Sequence, residues 1–371
     1  MTTYASSGVN IELGDASSRI MYEAAKATWA NRKGLLGEVV SPKDDFSGVR
    51  VIDVSGLPEG SVMCMGFDGV GTKVELAERM QNHSTAAFDL FAMVCDDAVV
   101  CGGEPVLVGS ILDVKSLGTS GEGHLDFMRQ LAEGYISAAA AARVAVINGE
   151  IAELGARISG YGDFNYNWGA AVIWFARKDR LFTGAEIRPG DSVISLREKG
   201  FRSNGLSLLR KIMKDNYGDD WHTKELPASA ITDGSGGSHL LGDLALVPST
   251  IYAAAVCDMF GGFAGEPKLT VHGVAHITGG GIPGKLGRVL RRANLGANLN
   301  ALFPPCDLMA HAIEIGKVDK DEAYRSWNMG NGMLVIVPQG EEQKALSVAA
   351  AHGIEAKICG EITEEKEIKI G

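Results

Sequence analysis

Four short stretches of this chain combine residue types that can do chemistry. The first is Asp68-Gly-Val-Gly-Thr-Lys73, which closes the apolar run Val62-Met63-Cys64-Met65. Gly69 and Gly71 let backbone N–H groups approach anionic oxygens, Thr72 adds a hydroxyl and Lys73 a positive charge, and Asp68 can hold the magnesium that accompanies a nucleotide. These are parts for holding a polyphosphate. The spacing matches neither the nucleotide P-loop nor the dinucleotide fingerprint, and such a Gly-rich turn taken by itself is more often plain turn chemistry.

The second stretch carries Asp89, Asp96 and Asp97 among Leu90, Phe91, Met93, Val94, Ala98 and Val99. Asp89 and Asp96 are seven residues apart and share a helix face, with Asp97 about 100° further round. Such apolar neighbours leave little room for a solvated face, so at least one acid is expected to face a cleft or a metal. Asn148-Gly149-Glu150 sets another carboxylate at the end of an apolar run, a usual ligand position in α/β sheets. In the second half, Arg202-Ser203-Asn204-Gly205 opens a helical pattern, where Ser203 or Asn204 caps the helix or its free N–H groups form an anion site. His276-Ile-Thr278-Gly279-Gly280-Gly281 ends a strand pattern in three glycines, where backbone can come close to a ligand.

Apolar spacing sets out the elements that must position these residues. Helical periodicity is expected over 16–31, capped by Asp15, and over 86–101, 124–142, 203–216, 248–260 and 341–352. Strands are expected at 49–54, 61–67, 106–114, 144–148, 170–176, 192–196, 271–277, 333–337 and 356–362, with a long polar connection over 215–242. Strands and helices mix in both halves, which implies two α/β or α+β domains, 1–176 and 177–371, joined near Arg177–Gly190. A chain of 371 residues supports two cores. Its net charge of −11 argues against a nucleic-acid or anionic-membrane surface. The six cysteines show no metal-type or disulfide spacing and read as reduced, mostly buried thiols. With no signal-like start and no long apolar window, the expected location is cytoplasmic.

Taken in order, Asp68-Gly-Val-Gly-Thr-Lys73, Asp96-Asp97 with Gly102-Gly-Glu-Pro105, Gly149-Glu150, Ser203-Asn-Gly-x-Ser-Leu-x-Arg-Lys211 and Ala275-His-x-Thr-Gly-Gly-Gly281 resemble the aminoimidazole ribonucleotide synthetase family of phosphoribosylformylglycinamidine cyclo-ligases. Tyr4, Gly8, Val9 and the run Tyr324-Arg325-x2-Asn328-Met-Gly330 extend the likeness over nearly the whole chain. The resemblance implies an N-terminal ATP-binding domain whose mixed sheet forms a barrel at a homodimer interface. It also implies a C-terminal domain for a small phosphorylated ribonucleotide. The implied activity is purine-pathway ring closure, in which ATP and magnesium phosphorylate an amide oxygen. Its site residues would be Asp68, Asp97 and Glu150 on magnesium, Gly69, Gly71, Thr72, Lys73 and Glu150 on ATP, and Arg202, Ser203, Asn204, Gly205, Thr278, Gly279 and Gly280 on substrate. His276, with Asp68 and Asp97, would be catalytic.

The chain departs from that pattern at several points. Arg202 stands where a histidine is usual, Met21 where a lysine is usual, Asp96 where an asparagine is usual, and the glycine loop expected within 33–49 is reduced to Gly34, Gly37 and Gly48. Arg202 cannot give up a proton but can bind a phosphate, which leaves His276 as the expected base. The alternatives to a cyclo-ligase are a related ATP-dependent phosphorylating enzyme with another small substrate, and a catalytically silent homologue.

Overall fold

The computed structural model describes residues 10–41, 48–118, 121–232 and 239–371. Tyr4, Gly8 and Val9, together with parts of the 33–49 loop and of the 215–242 connection, lie outside the described residues. The chain divides into two compact units, one of residues 1–95 and 105–175, the other of 96–104 and 176–371. The last turn of the acidic helix therefore groups with the second half, which the division at 176 expected from sequence does not include.

The first unit contains α1 (Ile11–Thr28), β1 (Val39–Val40), β2 (Val51–Ile52), β3 (Ser61–Gly69), α2 (Val74–Met80), most of α3 (Ala86–Val99), β4 (Glu104–Val114), α4 (Leu125–Ala142), β5 (Ala145–Glu153) and most of β6 (Tyr166–Arg177). The helix expected at 16–31 starts earlier, because the Asn10 side chain accepts from the Leu13 N–H and caps it there. The expected strand 49–54 shrinks to Val51–Ile52, which pairs with Val39–Val40 and, among the described residues, with no other strand, and Val49, Val51 and Val54 stay exposed. The main sheet has the order β3-β6-β4-β5, with β4 and β5 parallel.

Period-two alternation gives this sheet two unlike faces. Val108, Ser110, Leu112 and Val114 of β4 and Trp168, Ala170 and Val172 of β6 are buried, and Tyr135 of α4 packs against Trp168. On the opposite parity Met63, Met65, Phe67 and Ile111 are 60, 48, 74 and 56% exposed. After α1 the chain covers part of the β5 edge with side chains. The Thr28 hydroxyl accepts from Val146 N–H, Trp29 Nε1 donates to the Val146 carbonyl and Asn31 Nδ2 to that of Val144.

The second unit holds β7 (Ser192–Arg197), α5 (Leu206–Tyr217), α6 (Leu241–Leu246), α7 (Ala253–Phe260), β8 (Gly273–His276), α8 (Gly281–Leu290), β9 (Gly296–Leu299), α9 (Asp307–Gly316), α10 (Lys320–Ser326), β10 (Asn331–Val337), α11 (Glu342–Ala351), β11 (Ala356–Thr363) and β12 (Ile368–Ile370). Its six-stranded sheet runs β12-β9-β11-β7-β10-β8, antiparallel except for β12 against β9. Val193, Ala275, Leu334 and Ile336 pack with Ile282, Leu286 and Leu290 of α8 into its core. Both units are thus mixed α/β. None of the six cysteines forms a disulfide; Cys95 and Cys359 are fully buried, while Cys64 and Cys101 are exposed, so most are not the buried thiols expected from sequence. Among the described residues no helix is long and apolar enough to cross a membrane.

Candidate functional site

In the first unit the glycine turn follows the end of β3. The Asp68 carboxylate accepts from the N–H of Gly69, Val70 N–H donates to the Trp168 carbonyl, and Gly71 adopts a φ of +67° that favours glycine. A groove of about 710 Å³ crosses the open face of the sheet and is lined by Asp68, Glu150 and one glycine from every strand, Gly69, Gly169, Gly109 and Gly149. At those four positions the floor is bare backbone, between the side chains of Phe67, Ile111 and Asp113, and a flat ligand or another backbone can approach it closely there. A second cavity of about 320 Å³ lies under α1, walled by Met21, Tyr22, Trp29 and Tyr135, with Arg50 and Glu150 as its charged lining. The Arg50 guanidinium lies 5.0 Å from the centre of the Tyr22 ring.

Two expectations change here. Lys73 is 1% exposed, with its ammonium 2.7 Å from Asp89, so a buried ion pair takes the charge expected to meet a polyphosphate. Asp68 and Glu150 occupy the two edge strands, three strand spacings or about 14 Å apart, too far to ligate one ion within this unit. Among the described residues no group of three or more His, Cys, Asp or Glu side chains could hold a metal. The residues fit magnesium carried mainly by phosphate oxygens and water with a single carboxylate, and they do not fit a closed protein cage.

In the second unit the sequence candidates do come together. Asp96, in the last turn of α3, accepts through Oδ1 from the N–H groups of Tyr252 and Ala253, both 2.9 Å away, at the start of α7. Its Oδ2 takes a 3.0 Å bond from Arg202, which also donates to Glu198 and to the Thr250 carbonyl, 2.7 Å each, and lies 2.6 Å from His276 Nε2. His276 Nδ1 is 2.7 Å from Asp97 Oδ1. Asp96, Glu198, Arg202 and His276 are at most 1% exposed in their side chains, whereas Asp97 is 53% exposed. Arg202 has φ +58°, strained for a side chain of this size, and its network holds it there.

The electrostatics follow from burial. Desolvation pushes the Asp96 carboxyl up to about 7 against the opposing pull of Arg202. Burial, and then the charge of Arg202, lowers His276 to about 4. Burial alone would depress Arg202, but Glu198 and Asp96 more than reverse it and raise it above its ordinary value. Partial desolvation works against the Asp97 carboxylate, yet the His276 hydrogen bond and the charges of Lys285 and Arg202 keep it below its ordinary value.

Arg202 is therefore enclosed between two carboxylates, not free to clamp a substrate phosphate. His276, with both ring nitrogens engaged and a lowered pKa, is a poor general base. Neither Ser203 nor Asn204 caps α5 through its side chain; Gly205 is the cap residue, at φ +74°. Ser203 Oγ and Asn204 Oδ1 are buried without a hydrogen-bond partner. Asn204 lies against Gly279, with its Nδ2 3.7 Å from where a Cβ on Gly279 would stand, and Gly280, at φ +92°, precedes α8. Thr278 is 6% exposed. A Cβ on Gly205 would meet Trp327 at 2.3 Å and one on Gly281 the Tyr324 carbonyl at 1.8 Å, so the 324–327 segment fixes both turns. Sequence reasoning missed Glu198, Thr250 and Tyr252. An arginine bound for a core needs anionic partners, and Glu198, four residues earlier, was the signal available.

Two family models cover most of the chain. Residues 47–173 match the N-terminal domain of AIR synthase related protein and residues 188–371 its C-terminal domain. A Pyrococcus furiosus protein named phosphoribosylformylglycinamidine cyclo-ligase is 32% identical over 348 residues, 94% of this chain and 91% of that relative. One of the same name from Methanothermobacter thermautotrophicus is 33% identical over 365 residues, 98% and 95% of the two chains. Thiamine-monophosphate kinase from Stenotrophomonas maltophilia K279a shares the fold with a TM-score of 0.59 at 13% identity over 95% of each chain. Hydrogenase maturation protein HypE, solved in complex with ATP, does so with 0.54 at 14% identity over 87% of this chain and 80% of its own. Matched in both halves and by relatives along almost its full length, the chain belongs to the AIR synthase-related family.

Proposed function

We propose that this protein is an ATP-dependent cyclo-ligase that converts formylglycinamidine ribonucleotide to aminoimidazole ribonucleotide. The observation that carries this reading is the end-to-end likeness, at 32–33% identity, to relatives bearing that name. The terminal phosphoryl group of ATP passes to the amide oxygen, leaving ADP, and a poor leaving group becomes a good one. The ring-closing nitrogen then bonds to the activated carbon, the C–O bond breaks, inorganic phosphate departs and the nitrogen's proton goes to water. The nucleotide is assigned to the first unit, where the glycine-floored groove admits a close ligand and Arg50 is the basic side chain lining the adjoining cavity. HypE, of the same fold, was solved with ATP. The substrate phosphate is assigned to Ser203, Asn204, Gly205 and Thr278-Gly279-Gly280, where the buried, unpartnered Ser203 hydroxyl, able to donate, meets the starts of α5 and α8. Magnesium would neutralise phosphate charge beside Asp68 or Asp97.

The exposed Met63 and Met65, on the same sheet face as the groove that Phe67 and Ile111 line, are assigned to a second copy of the chain. Sedimentation should find a dimer; a stable 39.2 kDa species at micromolar concentration would remove this assignment. The activity is tested by phosphate release from ATP on adding formylglycinamidine ribonucleotide. A folded protein that releases none overturns the cyclo-ligase reading. Release with a different small substrate would favour the related phosphorylating enzyme.

A further inference from the structure

We propose that Arg202 is a positioning residue that locks the ring tautomer of His276 and through it the exposed carboxylate of Asp97. A guanidinium has only donors, so the nitrogen it faces must accept. That nitrogen is His276 Nε2, 2.6 Å from Arg202. The ring proton must then sit on Nδ1, from which it is donated to Asp97 Oδ1 at 2.7 Å. Arg202 is itself held immobile by Glu198, the Thr250 carbonyl and Asp96, and Asp96 is fixed in turn by the N–H groups of Tyr252 and Ala253. The chain of fixed donors thus runs from the start of α7 to a side chain that is half exposed. A histidine in place of Arg202 could donate or accept, so that Asp97 alone would hold the ring proton on Nδ1. Here Asp97 always receives a proton donor on one oxygen and keeps the other as an acceptor. The consequence for turnover rests on the proposed ATP-dependent reaction; the tautomer does not.

The test is ¹⁵N NMR of the histidine rings in the full-length protein at neutral pH, with no ligand present. In the wild type His276 should show a single tautomer, protonated at Nδ1 and bare at Nε2. Asp97→Ala should keep that tautomer, because Arg202 still faces Nε2. Adding Arg202→Gln to Asp97→Ala should give a mixture, and because it leaves two buried carboxylates short of charge, Asp97→Ala/Arg202→Gln/Glu198→Gln serves where that variant does not fold. Asp97→Ala/Arg202→Lys, again with a pure donor at Nε2, should restore the wild-type pattern. An Nε2–H ring in the wild type, or a pattern already lost in Asp97→Ala, overturns the proposal. Should the cyclo-ligase reading hold, Arg202→Gln/Glu198→Gln should lose about 10- to 100-fold in kcat with little change in KM, as is usual when a supporting partner is removed. A preserved tautomer scheme in a protein without cyclo-ligase activity would overturn only the reaction reading.

Discussion

In the first unit the groove presents glycine backbone and three carboxylates, Asp68, Asp113 and Glu150, while the lysine of the glycine turn is enclosed in the core with Asp89. In the second unit Asp96, Glu198 and Arg202 are stripped of water together, and one carboxylate, Asp97, emerges at the end of the network. The two regions looked alike as strings of Gly, Asp and basic residues. Their difference teaches that a charged residue beside glycines is read correctly only when its counter-ion is known. A buried charge with partners positions other groups, whereas bare backbone leaves room for a ligand.

The sharpest test of that contrast compares Asp97→Asn with Glu150→Gln under the proposed reaction. Asp97→Asn should lower kcat by more than about 100-fold with an unchanged circular dichroism spectrum, because the oriented carboxylate is lost. Glu150→Gln, on a freely exposed strand edge, should cost far less. Equal losses would erase the distinction between the two units.

Next come stabilities. Arg202→Met leaves two buried carboxylates without their cation and should destabilise by about 3–5 kcal/mol in urea titration. Lys73→Met leaves one, and should cost less. The opposite order would show that the Lys73–Asp89 pair, not the Arg202 network, carries the greater buried charge.

Acid sensitivity gives a smaller effect. His83 in the first unit is fully buried and lowered to about 4 by burial and then by His124. Its folded pKa lies below the unfolded value near 6.5, so the unfolded chain takes up the proton and stability falls as pH drops from about 6.5 towards 4. Between pH 7 and 5 the loss should be on the order of 2 kcal/mol, and His83→Phe should abolish it. In the second unit His276 behaves the same way, but Asp96 is raised to about 7 and so favours the folded state as it protonates, which offsets the His276 loss. Urea midpoints at the two pH values check this; a midpoint that rises as pH falls would contradict it.

The smallest effect is expected at Gly169. A Cβ there meets only the Asp68 carbonyl, at 3.8 Å, so Gly169→Ala should be neutral to slightly stabilising, by about 0.4–1 kcal/mol. It should nevertheless raise KM for ATP by filling the groove floor. An unchanged KM would move the nucleotide away from this face.

Much of the fold was legible where periodicity is strong. Helices 86–101 and 124–142 and strands 61–67, 106–114 and 333–337 were read within a few residues because long apolar patterns report burial directly. Short elements were missed: α2, α6, α9, α10, β9 and β12 span three to ten residues, and the expected helix 248–260 begins only at Ala253. At the candidate sites the sequence offered candidate residues and not what each faces. Arg202 read as a phosphate ligand because its position beside a helix start is local, while Asp96 and Thr250, its partners, lie 106 and 48 residues away.

The sequence by itself determined the residue types, the two mixed α/β halves and the family pattern, since these depend on short-range spacing and composition. Only the tertiary structure decided that Lys73 pairs with Asp89, that Asp68 and Glu150 stand on opposite edges of one sheet, and that Asp96, Arg202, His276 and Asp97 form one chain of hydrogen bonds. The physical reason is that a donor or charge takes its meaning from the groups that share its loss of water, and those are brought together by strand order and helix packing over long stretches of chain.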